Sequence, residues 1–445
     1  MKAAVIGAGW AGLAAATALR EAGAKVTVFE AGRTPGGRAR RVELPGFGAP
    51  LDNGQHILLG AYTETLALMR RLGRNPDALL MRRPLRLASL DGGFRLSAPR
   101  LPAPWHAAAA LLTARGLSGS ERVAAVRFIA GLRRAGWQPP AAWTVAHLLT
   151  HHAQPESLVR QLWEPLCLAA LNTPPAVAGA TLFARVLRDS LAGAQRDSDI
   201  LLPCVDLSAL WPDAATRQVT MRYGHTVRQL APSDAWVDVQ GERFDAAVLA
   251  VPPSAAARLL GNALRDSGSQ GLLKALQAFD YMPIATLNLK LAQPWPLPEP
   301  MMMLREDRSR GHVGQWLFDR ARLTGRTGQG DLAVVVSAAH GLADLERDAV
   351  IAALKDQVRE QAARHPGGLP PLPDVTRAEL FIEKRATFAA VPQRVRPLNS
   401  TPWRTLALAG DWTDTGYPGV LEGSVRSGLQ AAHVLRATFS AGRAR

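Results

Sequence analysis

The chain has 445 residues, 47% of them hydrophobic and 20% charged. That is long enough for two domains with substantial cores and excludes a disordered chain. Its 52 Lys and Arg against 37 Asp and Glu give a net charge of +15, a field that favours phosphate groups or acidic lipid surfaces.

Nucleic acid is not an expected partner, because there is neither a recognition motif nor a basic segment with interleaved aromatics. Cys167 and Cys204 are the only cysteines and form no CxxC pair, which fits a reducing compartment and no metal site. The first residues enter an apolar run directly, without a signal-peptide pattern. No apolar stretch of about 20 residues is free of charge and proline, so no membrane span is expected. The expected location is cytoplasmic, with any membrane contact peripheral on the inner face.

In chain order, residues 2–6 form an apolar run followed at once by Gly7-Ala8-Gly9-Trp10-Ala11-Gly12, a helical stretch to Glu21, and a second apolar run that ends on Glu30. The pattern is strand, glycine turn, helix, strand, acidic residue. Gly7 permits the tight turn, Gly9 lets backbone approach a pyrophosphate, and Gly12 lets helix and strand pack closely. The helix N-terminus faces the phosphates, and Glu30 lies where a carboxylate can accept hydrogen bonds from a ribose diol. Pro35-Gly36-Gly37-Arg38 follows, and then Asp52-Asn53-Gly54-Gln55-His56, which opens a predicted helical stretch through residue 72. Residues 104–195 read as mostly helical, broken at Pro139-Pro140 and Pro174-Pro175. Strands return over 216–251. A second strand-rich region covers 285–291, 313–318 and 332–338, then a helix over 343–364 and a strand over 379–387. Residues 320–331, rich in Gly, Arg and Thr, read as a mobile loop. The tail is a strand ending in Gly410-Asp411, a glycine-rich crossing, and Glu422-Gly423 opening a final helix.

The expected fold class is α/β. A Rossmann-like dinucleotide domain is assembled from residues 1–85, 200–282 and 392–445, with the opening strand central in its sheet. A substrate domain of mixed sheet and helices, 86–199 and 283–391, is inserted between those segments.

The paired terminal motifs resemble the flavoprotein superfamily of amine oxidases and carotenoid desaturases. The resemblance implies FAD bound across both chain ends. By it, Gly36, Gly37 and Arg38 match the second glycine pair near the phosphates, and Val227 lies at a backbone contact to adenine. Gly410 and Asp411 meet the ribityl–pyrophosphate part, and Gly419, Val420 and Leu421 lie at the flavin ring. Asp52-Asn53-Gly54-Gln55-His56, Leu162-Trp163-Glu164-Pro165, Glu383-Lys384-Arg385-Ala386 and Asp411-Trp412-Thr413-Asp414-Thr415-Gly416-Tyr417-Pro418 narrow this further. They resemble the squalene-associated FAD-dependent desaturases, the hydroxysqualene dehydroxylases of bacterial squalene and hopanoid synthesis. Val420 stands where amine oxidases commonly carry an aromatic, and an aliphatic residue suits a hydrocarbon better than an amine.

The implied reaction replaces an allylic hydroxyl of an isoprenoid alcohol with hydride from reduced flavin. It requires a long apolar tunnel, one acid and exclusion of water. His56 is the leading acid candidate; the alternative is that it fixes its loop or touches a flavin oxygen. Tyr417 and Asp52 are the next candidates, with bracing of the turn as the other reading of Asp52. Lys384 and Arg385 read equally as flavin-carbonyl partners or exposed strand charges. Ala125, Phe128, Ile129 and Leu132 fall on one face of an Arg-rich helix, which reads either as core or as a membrane-lying helix. Competing functions are a carotenoid-type desaturase, a flavin amine oxidase, and a non-catalytic prenyl-lipid carrier. No motif specifies the electron donor.

Overall fold

The computed structural model describes residues 1–266 and 269–443. Its first sheet is five-stranded and parallel. From edge to edge it runs Thr220–Arg222, Lys25–Phe29, Lys2–Ile6, Ala246–Leu249 and Leu406–Leu408. The opening strand is therefore central, with Ala3 in register with Val26 on one side and Ala246 on the other. Covered on both faces, such a strand needs no polar alternation, and Ala3, Ala4, Val5 and Ile6 are all buried. Helix Trp10–Glu21 and the final helix Leu421–Arg443 pack against each other beside this sheet. Their contact is close because Gly428 lies where a Cβ would sit 2.1 Å from the Ala11 carbonyl oxygen.

The second sheet runs Met301–Met303, Trp316–Asp319, Gly330–Ser337, Tyr281–Leu291 and Val375–Phe388, antiparallel throughout. Side chains alternate between its faces. Leu317, Val334 and Val336 pack into a core with Val350, Leu354 and Val358 of helix Arg347–Ala363. Trp316, Phe318 and Val335 point the other way, into a cluster shared with the helical region.

That helical region comprises Trp105–Leu112, Gly119–Arg134, Val145–His151, Glu164–Leu171 and Ala180–Leu191. A π-helical turn at Val159–Trp163 precedes Pro165. Proline offers no N–H to the carbonyl four residues back and crowds it, so the turn widens there. The widening brings Leu162 and Trp163 to the wall of the central cavity.

Two expectations are corrected and one open reading is resolved. The helix expected across 52–72 is confined to Thr63–Arg71, because short strands at Leu51–Asp52 and Leu58–Leu59 occupy the first half. Residues 320–331 are not a mobile loop. Arg320 opens a helical turn, is buried, and donates to Asn288 Oδ1 (3.1 Å) and the Pro50 carbonyl (3.3 Å), while Lys290 and Arg326 both pair with Asp331. The apolar stripe on Gly119–Arg134 faces the core: Ala125, Phe128 and Leu132 are buried, with Phe128 edge-on to Trp163. It is not free to lie on lipid. Among the described residues, no helix is long and apolar enough to cross a membrane.

Candidate active site

The cleft at the carboxyl ends of the parallel strands is built from the glycine turn. Gly7 has φ +103°, and a Cβ there would sit 2.4 Å from the Ala250 carbonyl oxygen; a Cβ on Gly12 would meet Gly7 O at 2.0 Å. Both positions exclude any side chain. Gly9 differs. A Cβ there would meet nothing nearer than Gly37 Cα at 4.0 Å, so its open side is cavity. Gly9 also begins helix Trp10–Glu21 without a side-chain cap, which leaves first-turn N–H groups for an anion. The Gly36-Gly37 pair lies directly on this turn, with Gly36 N–H donating to Ala8 O (2.8 Å).

Glu30 ends the second strand at the cavity wall. Its carboxylate accepts from Ala8 N and Gly32 N, both at 2.7 Å. A carboxylate has about four acceptor sites, so capacity remains for a diol. Val227, with His225 and Thr226, lines the cavity nearby.

The two chain ends meet through Arg38, which donates to Asp411 Oδ1 (2.7 Å) and the Ala386 carbonyl (3.0 Å). Gly410 is required because a Cβ would run into the Trp412 indole 2.1 Å away, and a Cβ on Gly419 would crowd Thr387 and Asp411. Half-buried Arg396 organises the crossing by donating to the carbonyls of Asp411, Thr413 and Tyr417 and to Thr415 Oγ1. Gly410, Asp411, Gly419, Val420 and Leu421 all line the cavity. Glu422 does not. It is fully buried and turned towards helix Thr63–Arg71, where it accepts from Glu64 N, Thr65 N and Thr65 Oγ1.

The cleft is continuous with an apolar chamber, and together they form one cavity of about 670 Å³. The chamber wall takes Leu87 and Leu96, Ala107, Ala110 and Leu111 from helix Trp105–Leu112, Leu162 and Trp163 from the π-turn, Phe183 and Leu187, and Met301, Trp316 and Phe318 from the second sheet. Few polar groups interrupt it. His56 Nδ1 lies 2.8 Å from the Gly54 carbonyl, and burial holds the imidazole below its ordinary pKa, against the opposing effect of that bond. Tyr417 donates its hydroxyl to Asp189 Oδ2 (2.7 Å). Burial, and then Asp189 itself, push the phenol up. Arg185 and Arg188 flank Asp189. Burial acts to raise the Asp189 pKa, but these donors, with Tyr417, hold it below its usual value. Asp189 was not singled out from sequence; its only local signal is the pair of arginines before it in an otherwise apolar helix.

Asp52 lies off the cavity and accepts from Leu207 N (2.8 Å). Burial pushes its carboxyl up to about 7, against Leu207 and Arg320, and its hydrogen bond ties the start of the turn to helix Leu207–Leu210. Lys384 and Arg385 are exposed, which resolves their reading towards strand charges. Among the described residues, no cluster of His, Cys, Asp or Glu is arranged to hold a metal.

A glycine cradle, an uncapped helix end, a carboxylate with spare acceptor capacity and a second strand–helix crossing from the far end of the chain together fit a flavin dinucleotide. Residues 10–436 match the family of flavin-containing amine oxidoreductases. The chain belongs to that family. Along nearly its whole length it is also similar to hydroxysqualene dehydroxylases. It is 32% identical to the protein of that name from Rhodopseudomonas palustris, over 99% of both chains. It is 30% identical to the one from Sinorhizobium fredii, over 96% of both. These relatives place it in the hydroxysqualene dehydroxylase branch. In fold it is similar to cyclohexylamine oxidase from Brevibacterium oxydans, with a TM-score of 0.69 and 20% identity over 99% of each chain. The protein is an FAD-dependent oxidoreductase.

Proposed function

We propose that the protein catalyses reductive dehydroxylation of hydroxysqualene to squalene. The observation that carries this reading is the apolar chamber opening directly onto the dinucleotide cleft, on a chain similar to hydroxysqualene dehydroxylases over its full length. Bound FAD, once reduced, supplies the hydride that replaces the hydroxyl. The protein's own residues have three tasks. His56 donates the proton that lets the hydroxyl leave as water, with Tyr417 as the second candidate. The chamber walls hold the isoprenoid chain and exclude water, which would otherwise recapture the allylic cation. The cleft holds the cofactor: the Gly7–Gly12 turn and Gly36, Gly37 and Arg38 at the pyrophosphate, Glu30 at the adenosine ribose, Val227 at adenine, Gly410 and Asp411 at the ribityl chain, and Gly419, Val420 and Leu421 beside the flavin ring. In domain terms, the segments 1–85, 200–282 and 392–445 carry FAD and the remainder carries the substrate. The apolar substrate and the +15 charge make peripheral association with anionic membrane part of this reading.

The test is an anaerobic incubation of the dithionite-reduced holoenzyme with hydroxysqualene, followed by lipid extraction. Squalene is the expected product. A product with extended conjugation would identify a desaturase instead, and unchanged substrate would remove the assignment.

Glu30→Ala should weaken FAD binding by about 1.5–3 kcal/mol, the worth of a hydrogen bond to a charged group. Titration of the apoprotein with FAD measures it. An unchanged dissociation constant would reduce Glu30 to a brace for the glycine turn, through its bonds to Ala8 and Gly32.

A further inference from the structure

Helix Trp105–Leu112 has two unlike apolar faces. Ala107, Ala110 and Leu111 point inward and line the chamber. Trp105 and Leu112, seven residues apart and so on one face, point outward and are 65% and 47% exposed. Leu101, 41% exposed, precedes them. Among the other exposed apolar side chains of the described residues, Val395 and Leu398 form a second pair, with no aromatic ring in it, and Trp236 is covered by the Arg243 guanidinium. Among the described residues, no ring or cation stacks on Trp105.

The same region is basic. Between residues 100 and 127 the ionisable side chains are Arg100, Arg115, Arg122, Arg127, His106 and one carboxylate, Glu121. His106 is buried. Glu121 is committed to the Ser118 N–H and the Ser157 hydroxyl. Arg100, Arg115 and Arg127 are exposed. Arg122 donates to the Leu112 carbonyl (3.4 Å), which brings a basic group to the end of the apolar face. A protruding indole with aliphatic neighbours and an arginine rim suits one occupant, a bilayer with anionic headgroups. The ring enters the interfacial zone and the guanidinium groups meet the headgroups.

We propose that the outer face of helix Trp105–Leu112, with Leu101 and the arginines around it, docks the protein on anionic lipid. The chamber is then separated from the bilayer by the thickness of that one helix. This rests on the reading of the substrate as a membrane-soluble isoprenoid. It moves the contact from Gly119–Arg134, whose apolar face is core, to the helix before it.

The experiment is flotation of the FAD-loaded protein with phosphatidylcholine vesicles, with and without phosphatidylglycerol. Wild type should float with the anionic vesicles and much less with the neutral ones. The double variant Trp105→Ser/Leu112→Ser should float about tenfold less or worse. Arg100→Glu/Arg115→Glu should lose the preference for phosphatidylglycerol. None of these four residues lines the cavity, so turnover of detergent-solubilised substrate should be unchanged in both variants. A wild type that does not float, or variants that float as it does, would overturn the proposal. So would sedimentation showing that Trp105→Ser/Leu112→Ser converts a dimer to a monomer, since a second copy would then be the occupant. Flotation needs no turnover. A protein that docks through this face but yields no squalene loses only the proposed reaction; one that yields squalene from micelles but never floats loses only the docking surface.

Discussion

His56→Gln should leave FAD bound and slow dehydroxylation by roughly 10²–10⁴-fold, the span of general acid catalysis. With Nδ1 donating to the Gly54 carbonyl, the neutral ring has only an acceptor left at Nε2, so it can give up a proton to substrate only as imidazolium. Burial holds the His56 pKa below its ordinary 6.5, with the Gly54 bond partly offsetting it. The sign follows: activity that depends on the protonated form is full at low pH and falls as pH rises through a pKa under 6.5. Single-turnover oxidation of reduced flavin by hydroxysqualene, followed against pH, reads both effects. Tyr417 makes the opposite forecast. Its phenol is held protonated to high pH by burial and by Asp189, so a rate governed by Tyr417 would be flat through neutrality and collapse in Tyr417→Phe. A near-normal rate in His56→Gln together with a flat profile would transfer the role to the Tyr417–Asp189 pair. Loss of FAD from His56→Gln would make His56 a loop-fixing residue.

The features legible in the sequence are those whose causes are local. Gly7, Gly9 and Gly12 each answer a backbone demand set within a few residues, so their spacing announces the turn and with it the central strand. The tail was readable as strand, glycine crossing and helix, and the structure brings its Gly410, Asp411 and Gly419 to the wall of the cavity. What stayed hidden depends on partners remote in the chain. Asp189 matters through Tyr417, 228 residues away. Arg320 is fixed by Asn288 and by Pro50, 270 residues before it, so a composition typical of a mobile loop belongs to a pinned turn. The stripe on Gly119–Arg134 illustrates a different limit. Periodicity identifies an apolar face but not what covers it, and here Trp163 and its neighbours do. The proposed lipid-docking face instead lies on a helix so rich in alanine that only the exposure of Trp105 and Leu112 distinguishes its two faces.

Glu422→Ala should destabilise the holoenzyme by about 3–5 kcal/mol, the cost of leaving three donors at a buried site unsatisfied at about 1–3 kcal/mol each. Helix Thr63–Arg71 begins at Tyr62 without a side-chain cap of its own. Its first-turn donors find their acceptor in the tail, where Glu422 takes Glu64 N and Thr65 N (both 3.0 Å) and the Thr65 hydroxyl (2.7 Å). Arg426, one turn along the final helix, balances the charge at 2.9 Å and also donates to Thr63 Oγ1. The carboxylate is fully buried, so alanine would strand two N–H groups and a hydroxyl, while the part-exposed Arg426 keeps its bond to Thr63 and its contact with water. Glu422→Gln keeps one acceptor oxygen and the volume, and should cost less. Urea unfolding with FAD in excess measures both variants. A midpoint for Glu422→Ala equal to that of wild type would show that the clamp between the final helix and helix Thr63–Arg71 contributes nothing. A loss of FAD with no loss of stability would move Glu422 from the scaffold to the cofactor. The expected result, lost stability in Ala and partial recovery in Gln, makes the Glu422-Gly423 pair part of what holds the two ends of the chain together at the flavin.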